Sequence, residues 1–371
     1  MSDRGGWPAA NRAHRNAAAA AVVVGIVVLP ALVAGNGIAA PPTSIEVERI
    51  AAAVGGVGGG LSELGSLFHR AFCWPEPAAF PTEANAVAAL VTKARFAQVL
   101  AVTCLSLSTY VAVMLARGRL QALLACLCFA LSPVVAGQGH VLRPESLAAA
   151  FAWFALLLLQ VQASPPVLRV RRRRLRRLDV FALAGCASGA LGLAVATIAS
   201  VGECLLVPGV VLVLATLQIG VRAVRILRER GLLRLPIRAI NARLLPWTVA
   251  TLLAPAAAWW LLVRVSHGSE ATPSPSTVTL LPENVWLRAP LVLLFVVGCA
   301  TGIVRTGLRF GRGGRIGADV VLLVQCGVFL AAAAGEPAGR DLTPAAPAMA
   351  VVTSEGLLAL VFVVRRAMLR R

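Results

Sequence analysis

The sequence predicts an all-α polytopic membrane protein, and three observations lead to that class. Hydrophobic residues make up 58% of the 371 residues and charged residues only 14%, and the mean hydropathy of +0.81 lies far above that of soluble globular domains. Apolar segments of roughly 20 residues, the length that crosses a bilayer as a helix, recur along the chain. Short basic clusters separate them, as the positive-inside rule predicts for cytoplasmic loops.

About ten apolar segments are long enough to span a membrane. They cover roughly residues 17–35, 96–115, 119–136, 145–162, 180–198, 201–218, 245–263, 289–304, 317–334 and 345–364. The first segment resembles a signal peptide, because small residues follow it in GNGIAAPP. Its apolar run is longer than that of a typical signal, so we predict a retained anchor.

The loops predict the orientation. If the N-terminus is cytoplasmic, every later cytoplasmic loop and the C-terminal tail are basic, most strongly in RVRRRRLRR at 169–177. Both termini are therefore predicted to be cytoplasmic. Most of the 16 carboxylates fall on the opposite side, although acidic residues contribute little to insertion. Their concentration there indicates binding or chemistry on the outer face.

The chain is predicted to form one transmembrane domain over residues 1–371, with two notable outer loops. The first, residues 36–95, contains SIEVERIAAAV and LSELGSLFHRAF, which have the spacing of short amphipathic helices lying on the membrane surface. The second, residues 264–288, is rich in proline, serine and threonine.

Composition argues against two other classes of function. The formal charge of +19 is spread over short clusters with almost no aromatic interleaving, so we predict no nucleic-acid partner. Seven of the eight cysteines lie in or beside apolar segments, where free cysteine behaves as a small hydrophobe. Neither CxxC nor HExxH spacing occurs. We therefore predict no obligatory metal ion or other cofactor.

Glu46 and Glu48, in TSIEVERI, form the first candidate group. A carboxylate just outside a membrane helix can act as a general base or bind a polar ligand. Residues two apart point to different faces of a helix, so at most one of them faces a given site. The alternative is an ordinary loop helix with solvated surface charges.

His140, Arg143 and Glu145, in GQGHVLRPES, form the second group. Pro144 suits the first turn of a helix, and Glu145 complements the helix dipole, so both are explained by a helix start. That explanation does not cover His140 and Arg143. Arg143 either binds a phosphate or snorkels at the interface.

Two further candidate groups lie at the ends of predicted membrane helices. Arg340 precedes the last span in GEPAGRDLTPAAPAM, where Pro344 and Pro347 fix the start of the helix. Glu203 stands at the mouth of the sixth span, where it can simply cap that helix.

The order of these features resembles the GT-C membrane glycosyltransferases, in the branch of the protein O-mannosyltransferases and aminoarabinose transferases. That branch has a helical hairpin ending in LSP, then an outer turn with RPD or RPE at the head of the next span. Residues 131–133 and 143–145 match these elements, LAGCASGALGLAVATIASVGECLLVPGVVLVL resembles the next hairpin, and GRDLTPAAPAM resembles a late RYLLPALP stretch with Arg340 in register. The resemblance covers about residues 15–220 and 335–364.

The sequence also departs from that pattern. The family's first loop usually carries a catalytic aspartate, often in DE, whereas the nearest acids in this chain are Glu46 and Glu48. The lysine commonly found near the positions of Ser200 and Glu203 is absent, and Asp341 replaces the tyrosine of RY.

The resemblance implies transfer of a sugar from a polyprenyl-phosphate donor to an acceptor on the extracytoplasmic side of a bacterial plasma membrane. The donor phosphate would meet Arg143 or Arg340, with His140 and Glu145 in the same binding region, and Glu46 or Glu48 would be the general base. Two alternatives stay open: an inactive lipid-binding or assembly subunit of the same architecture, and a transporter. The sequence does not specify which sugar or which acceptor is used.

Overall fold

The computed structural model describes residues 20, 22–55, 79–142, 144–163, 186, 190, 210, 213–214, 285–311, 318–335, 343 and 345–369. Every regular element within these ranges is helical. The helices are α1 (Val24–Gly35), α2 (Ser44–Gly55), α3 (Ala84–Arg117), α4 (Arg119–Ala130), α5 (Pro133–Gln138), α6 (Pro144–Ala163), α7 (Val285–Gly311), α8 (Ala318–Gly335) and α9 (Ala346–Met368).

Three helices in the described part of the chain are long and apolar enough to cross a membrane: Ala84–Arg117, Ala289–Leu308 and Ala346–Met368. Helices α6, α7, α8 and α9 agree with the predicted spans that begin at 145, 289, 317 and 345 to within a few residues at their starts. The predicted spans at 180–198, 201–218 and 245–263 lie outside the described residues, apart from single positions.

Helix α1 begins with a π-helical turn at Val24–Val28 and continues as an α-helix over Leu29–Gly35. Pro30 lies just after the π turn. A proline inside a helix clashes with the carbonyl four residues earlier, and the wider π turn relieves that clash.

Helix α3 is much longer than the sequence predicted. It begins at Ala84 rather than near residue 96 and runs for 34 residues, about 51 Å at the rise of an α-helix. The predicted loop 36–95 therefore ends near residue 83. Neither glycine nor proline follows Pro81 in this extension, and its apolar side, with Leu90, Val91 and Ala94, is buried against Ile50 of α2.

The predicted span 119–136 is broken into two helices. Helix α4 ends at Ala130, and the hydroxyl of Ser132 accepts a hydrogen bond from the Val135 amide at 3.3 Å, which caps α5. Pro133 occupies the first turn of α5, where its missing N–H is not needed. The LSP segment is therefore a helix end followed by a new helix start.

Helix α2 confirms the predicted helix in SIEVERIAAAV. Its apolar face is covered by protein, because Ile50 packs in a cluster with Leu90, Val91 and Ala94 of α3 and with Leu142. The second predicted amphipathic segment, LSELGSLFHRAF, lies outside the described residues.

The main core joins α1 to α3, α4, α5, α6, α8 and α9. Trp153 of α6 is fully buried and stacks on Phe329 of α8, with ring centroids 5.8 Å apart. Gln160 of α6 donates to the carbonyl oxygens of Ala112 and Ala318, at 2.9 and 3.1 Å, and so links α3 to the start of α8. This packing fixes the position of α3 in the bundle. The N-terminal extension of α3 carries the polar cluster described next.

Candidate functional site

A buried ion pair lies where α2 meets the extension of α3. The Glu46 and Arg95 side chains are 0% and 2% exposed. Arg95 binds both carboxylate oxygens, through Nε to Oε1 at 3.0 Å and through Nη2 to Oε2 at 2.6 Å. This two-point geometry is the strongest form of the arginine–carboxylate pair.

Thr43 completes the surroundings of the Glu46 carboxylate. Its backbone N–H and its hydroxyl both donate to Glu46 Oε2, at 3.1 and 3.0 Å, and its hydroxyl accepts from the Glu46 amide at 3.3 Å. This reciprocal arrangement is a capping box at the start of α2. The sequence fixes it locally, since threonine followed three residues later by glutamate is the signature of that cap.

The remaining N–H groups of Arg95 donate hydrogen bonds to the chain segment between α1 and α2. Nη1 donates to the carbonyl oxygens of Gly37, Ile38 and Ala40 at 3.2, 2.8 and 2.6 Å, and Nη2 donates to that of Pro41 at 3.3 Å. Arg95 thereby binds carbonyl oxygens at a helix end and a turn, where the helical hydrogen-bond pattern stops; among them, that of Gly37 also accepts from the Ala40 amide at 3.0 Å.

The same cluster holds the turn at 140–142, which leads into α6. The Leu142 amide donates to Glu46 Oε1 at 3.4 Å, and Arg49 Nη1 donates to the Leu142 carbonyl oxygen. Gln98 Nε2 donates to the Val141 carbonyl oxygen at 2.9 Å. Two helices, α2 and α3, therefore fix this turn from separate sides.

The pKa of Glu46 lies below its ordinary value. Burial by itself raises this pKa, but the hydrogen bonds and charge of Arg95 and the hydrogen bonds of Thr43 outweigh it. The carboxylate is therefore ionised at neutral pH, and both of its oxygens already accept hydrogen bonds.

His140 lies against Gly37 at the edge of this cluster. A Cβ atom on Gly37 would come within 2.0 Å of the imidazole Cε1 atom, so only glycine leaves room for the ring. The pKa of His140 is lowered, first by burial and then by the Arg95 guanidinium, against the opposing charge of Glu46. The imidazole is consequently neutral at pH 7.

The structure brings together only some of the predicted site residues. Glu46 and His140 lie in one cluster, whereas Glu48 is exposed on α2. Glu145 lies in the first turn of α6, which agrees with a helix start, but its side chain is outside the described residues. Arg143 and Arg340 are also outside them.

Sequence reasoning missed the three residues that build the cluster with Glu46: Arg49, Arg95 and Gln98. Arg49 is 7% exposed, so it is not one of the solvated surface charges of an ordinary loop helix. The sequence places Arg95 at the end of the predicted loop 36–95. Arg95 and Gln98 are three residues apart and therefore lie on one face of an otherwise apolar helix, and this spacing could have indicated a buried polar site.

A second buried charge cluster lies at the other end of α3. Glu355 of α9 accepts hydrogen bonds from Gln121 and from Arg305, the latter at 3.3 Å, and Arg117 Nε lies 3.7 Å from its Oε2 atom. Glu355 lies well inside the predicted span 345–364, and two arginines hold its carboxylate there. Within the described ranges, no three His, Cys, Asp or Glu side chains form a group that could hold a metal ion.

Comparison with known proteins finds similarity in structure alone. No family model matches the sequence, and no curated protein matches it. ArnT from Cupriavidus metallidurans, in a crystal structure bound to undecaprenyl phosphate, matches 91% of this chain with a TM-score of 0.50 and 15% identity. The oligosaccharyltransferase of Archaeoglobus fulgidus, in the apo form, matches 93% with a TM-score of 0.53 and 14% identity.

The matched regions cover 59% of the ArnT chain and 51% of the oligosaccharyltransferase chain, so this chain spans little more than half the length of each. Together with the apolar helices, these similarities show an integral membrane protein with a GT-C-like fold.

Proposed function

We propose that this chain is a glycosyltransferase that moves a sugar from a polyprenyl-phosphate donor to an acceptor on the outer side of the membrane. The observation that carries the proposal is the buried Glu46–Arg95 ion pair, with His140 beside it, at one end of a GT-C-like bundle. Ionisable groups are costly in such a chain and usually serve a function.

The proposed architecture is a single domain over residues 1–371 with ten spans and both termini in the cytoplasm of a bacterium. The long first outer loop and the loop at 264–288 would then lie on the same side as Glu46. This arrangement is supported by the basic loops that the sequence places on the opposite side.

Glu48 is the proposed general base. Its side chain is exposed and so is accessible to an acceptor hydroxyl, whereas both oxygens of Glu46 accept hydrogen bonds from protein groups. A base must accept a proton at a carboxylate oxygen that the acceptor can reach. Arg143 or Arg340 is proposed to bind the donor phosphate, with His140 and Glu145 in the same binding region.

The proposed reaction is a displacement at the anomeric carbon. Glu48 takes the proton of the acceptor hydroxyl, the acceptor oxygen forms the new bond to that carbon, and the bond to the phosphate oxygen breaks. The phosphate leaves with the electron pair and stays on the polyprenyl carrier. Arginine is suited to this leaving group, because its guanidinium forms two parallel hydrogen bonds to phosphate oxygens.

The test is sugar transfer by the purified protein in lipid vesicles supplied with a radiolabelled polyprenyl-phosphate sugar and a crude envelope acceptor fraction. Glu48→Gln should lower the rate by roughly 10²–10⁴, the usual contribution of a general base. Glu83→Gln removes another exposed carboxylate of the first loop and should leave the rate unchanged. If Glu46→Gln and Glu48→Gln, separately and together, leave transfer intact, the proposal fails.

One observation favours a second function, an inactive lipid-binding or assembly subunit. The acid that comes first after the opening span, Glu46, is completely engaged in structural contacts. Such a subunit would bind undecaprenyl phosphate in a filter-binding assay and would transfer no sugar from any donor of that class.

A further inference from the structure

Glu46 joins three parts of the chain that are distant in sequence. Its carboxylate caps α2 through Thr43, pairs with Arg95 of α3, and accepts the amide of Leu142. Arg95 in turn holds four carbonyl oxygens between residues 37 and 41. One carboxylate therefore fixes both the segment that leaves α1 and the turn that enters α6.

His140 lies between these two segments. Its ring contacts Gly37, in the segment held by Arg95, and it is two residues from Leu142, in the turn held by Glu46. The ring is half-buried, and its Nδ1 atom is buried without a hydrogen-bond partner. Because no hydrogen bond to Nδ1 fixes the ring, its position follows from the two segments that Glu46 and Arg95 hold.

We propose that Glu46 is a positioning residue, which together with Arg95 locks the 140–142 turn against residues 37–43 and thereby holds His140 where the donor phosphate binds. The locking of the turn follows from the contacts, whereas the part played by the donor rests on the proposed function. The geometry suits this role because a paired and fully hydrogen-bonded carboxylate has one fixed position.

The proposal is tested by two measurements, amide hydrogen exchange and donor binding. Both use the whole chain in nanodiscs of phosphatidylethanolamine and phosphatidylglycerol. Glu46→Gln should speed amide exchange at residues 139–142 roughly tenfold, because the Leu142 amide loses a charged acceptor. It should also weaken binding of undecaprenyl phosphate by about tenfold, while transfer at saturating donor stays within about fivefold of wild type.

Three further variants separate positioning from loss of folding. Gln98→Met removes the hydrogen bond to Val141 and should speed exchange in the same peptide by a smaller factor. Glu48→Gln changes an exposed carboxylate on the same helix and should leave that exchange unchanged. Glu46→Asp keeps the charge and should recover part of the donor affinity.

Two results would overturn the proposal. Unchanged exchange at residues 139–142 in Glu46→Gln would show that the carboxylate does not hold the turn. Wild-type donor affinity with a rate at saturating donor reduced roughly 100-fold would make Glu46 the base instead. If the proposed function is wrong, wild-type protein will neither bind undecaprenyl phosphate nor transfer sugar. The exchange measurement will still show whether Glu46 holds the 140–142 turn.

Discussion

Arg95 shows, at the scale of single residues, why a charge is kept in an apolar chain. Its guanidinium has hydrogen bonds to Glu46 and to four backbone carbonyl oxygens. A buried charge is tolerated only when it is paired and its donors are satisfied. Lysine has one ammonium group and cannot span these acceptors, so the position requires arginine.

The Glu46–Arg95 pair predicts a dependence of stability on pH. Because the folded pKa of Glu46 is lowered from its ordinary value of 4.5, the pair contributes stability above that pH and loses it as the pH falls through the folded pKa. Glu46→Gln should cost about 3–5 kcal/mol at neutral pH, the usual cost of breaking a buried pair.

Thermal unfolding in detergent between about pH 3 and pH 7 checks this prediction. The wild-type midpoint should fall steeply at the acid end, and the midpoint of Glu46→Gln should start lower and change less. Equal midpoints for the two proteins at neutral pH would contradict it.

At the scale of elements, α7 and α9 cross at two glycines. A Cβ atom on Gly298 would lie 2.0 Å from the carbonyl oxygen of Val352, and one on Gly356 would lie 1.9 Å from that of Leu294. Membrane helices approach this closely only where small residues face each other. The clashing atoms belong to the backbone, so neither helix can yield without moving as a whole.

Gly298→Ala should therefore destabilise the protein by about 1–3 kcal/mol, the range for overpacking a tight contact. Gly302→Ala is the matched control, since it makes the same change one turn further along α7, where nothing lies within 4 Å. Unfolding midpoints in detergent should fall for the first variant and stay near wild type for the second. Equal midpoints for both would rule out the close crossing.

At the scale of the whole molecule, the cluster around Glu355 joins four helices. Arg117 of α3, Gln121 of α4 and Arg305 of α7 converge on this carboxylate of α9, and Arg117 also donates to Thr306 Oγ1 at 3.0 Å. The cluster lies at the opposite end of α3 from Glu46. Long-range polar contacts thus tie both ends of the bundle.

Glu355→Gln should destabilise the whole bundle, because the Arg117 side chain, 4% exposed, loses the negative charge of Glu355 beside it. The expected loss is about 3–5 kcal/mol, as for other buried pairs. Glu48→Gln, which removes an exposed carboxylate, is the control. The unfolding midpoint of the purified protein distinguishes them, and a Glu355→Gln midpoint equal to that of the control would disprove the structural role.

The sequence by itself determined the membrane class and most helix positions in the described part of the chain. Apolar length and basic loops are local properties, and they report directly on insertion into a bilayer. Local sequence patterns also predicted the helix at Ser44–Gly55 and the start of α6 at Pro144. The order of motifs was enough to predict the GT-C-like fold.

Only the tertiary structure decided which ionisable residues meet. Glu46 and Arg95 are 49 residues apart in the chain, and no periodic pattern links them. Their pairing depends on the extension of α3 to Ala84, which is stabilised by burial against Ile50 rather than by length alone. Sequence patterns report on neighbours along one helix, whereas the partner of a buried charge is set by how separate helices pack.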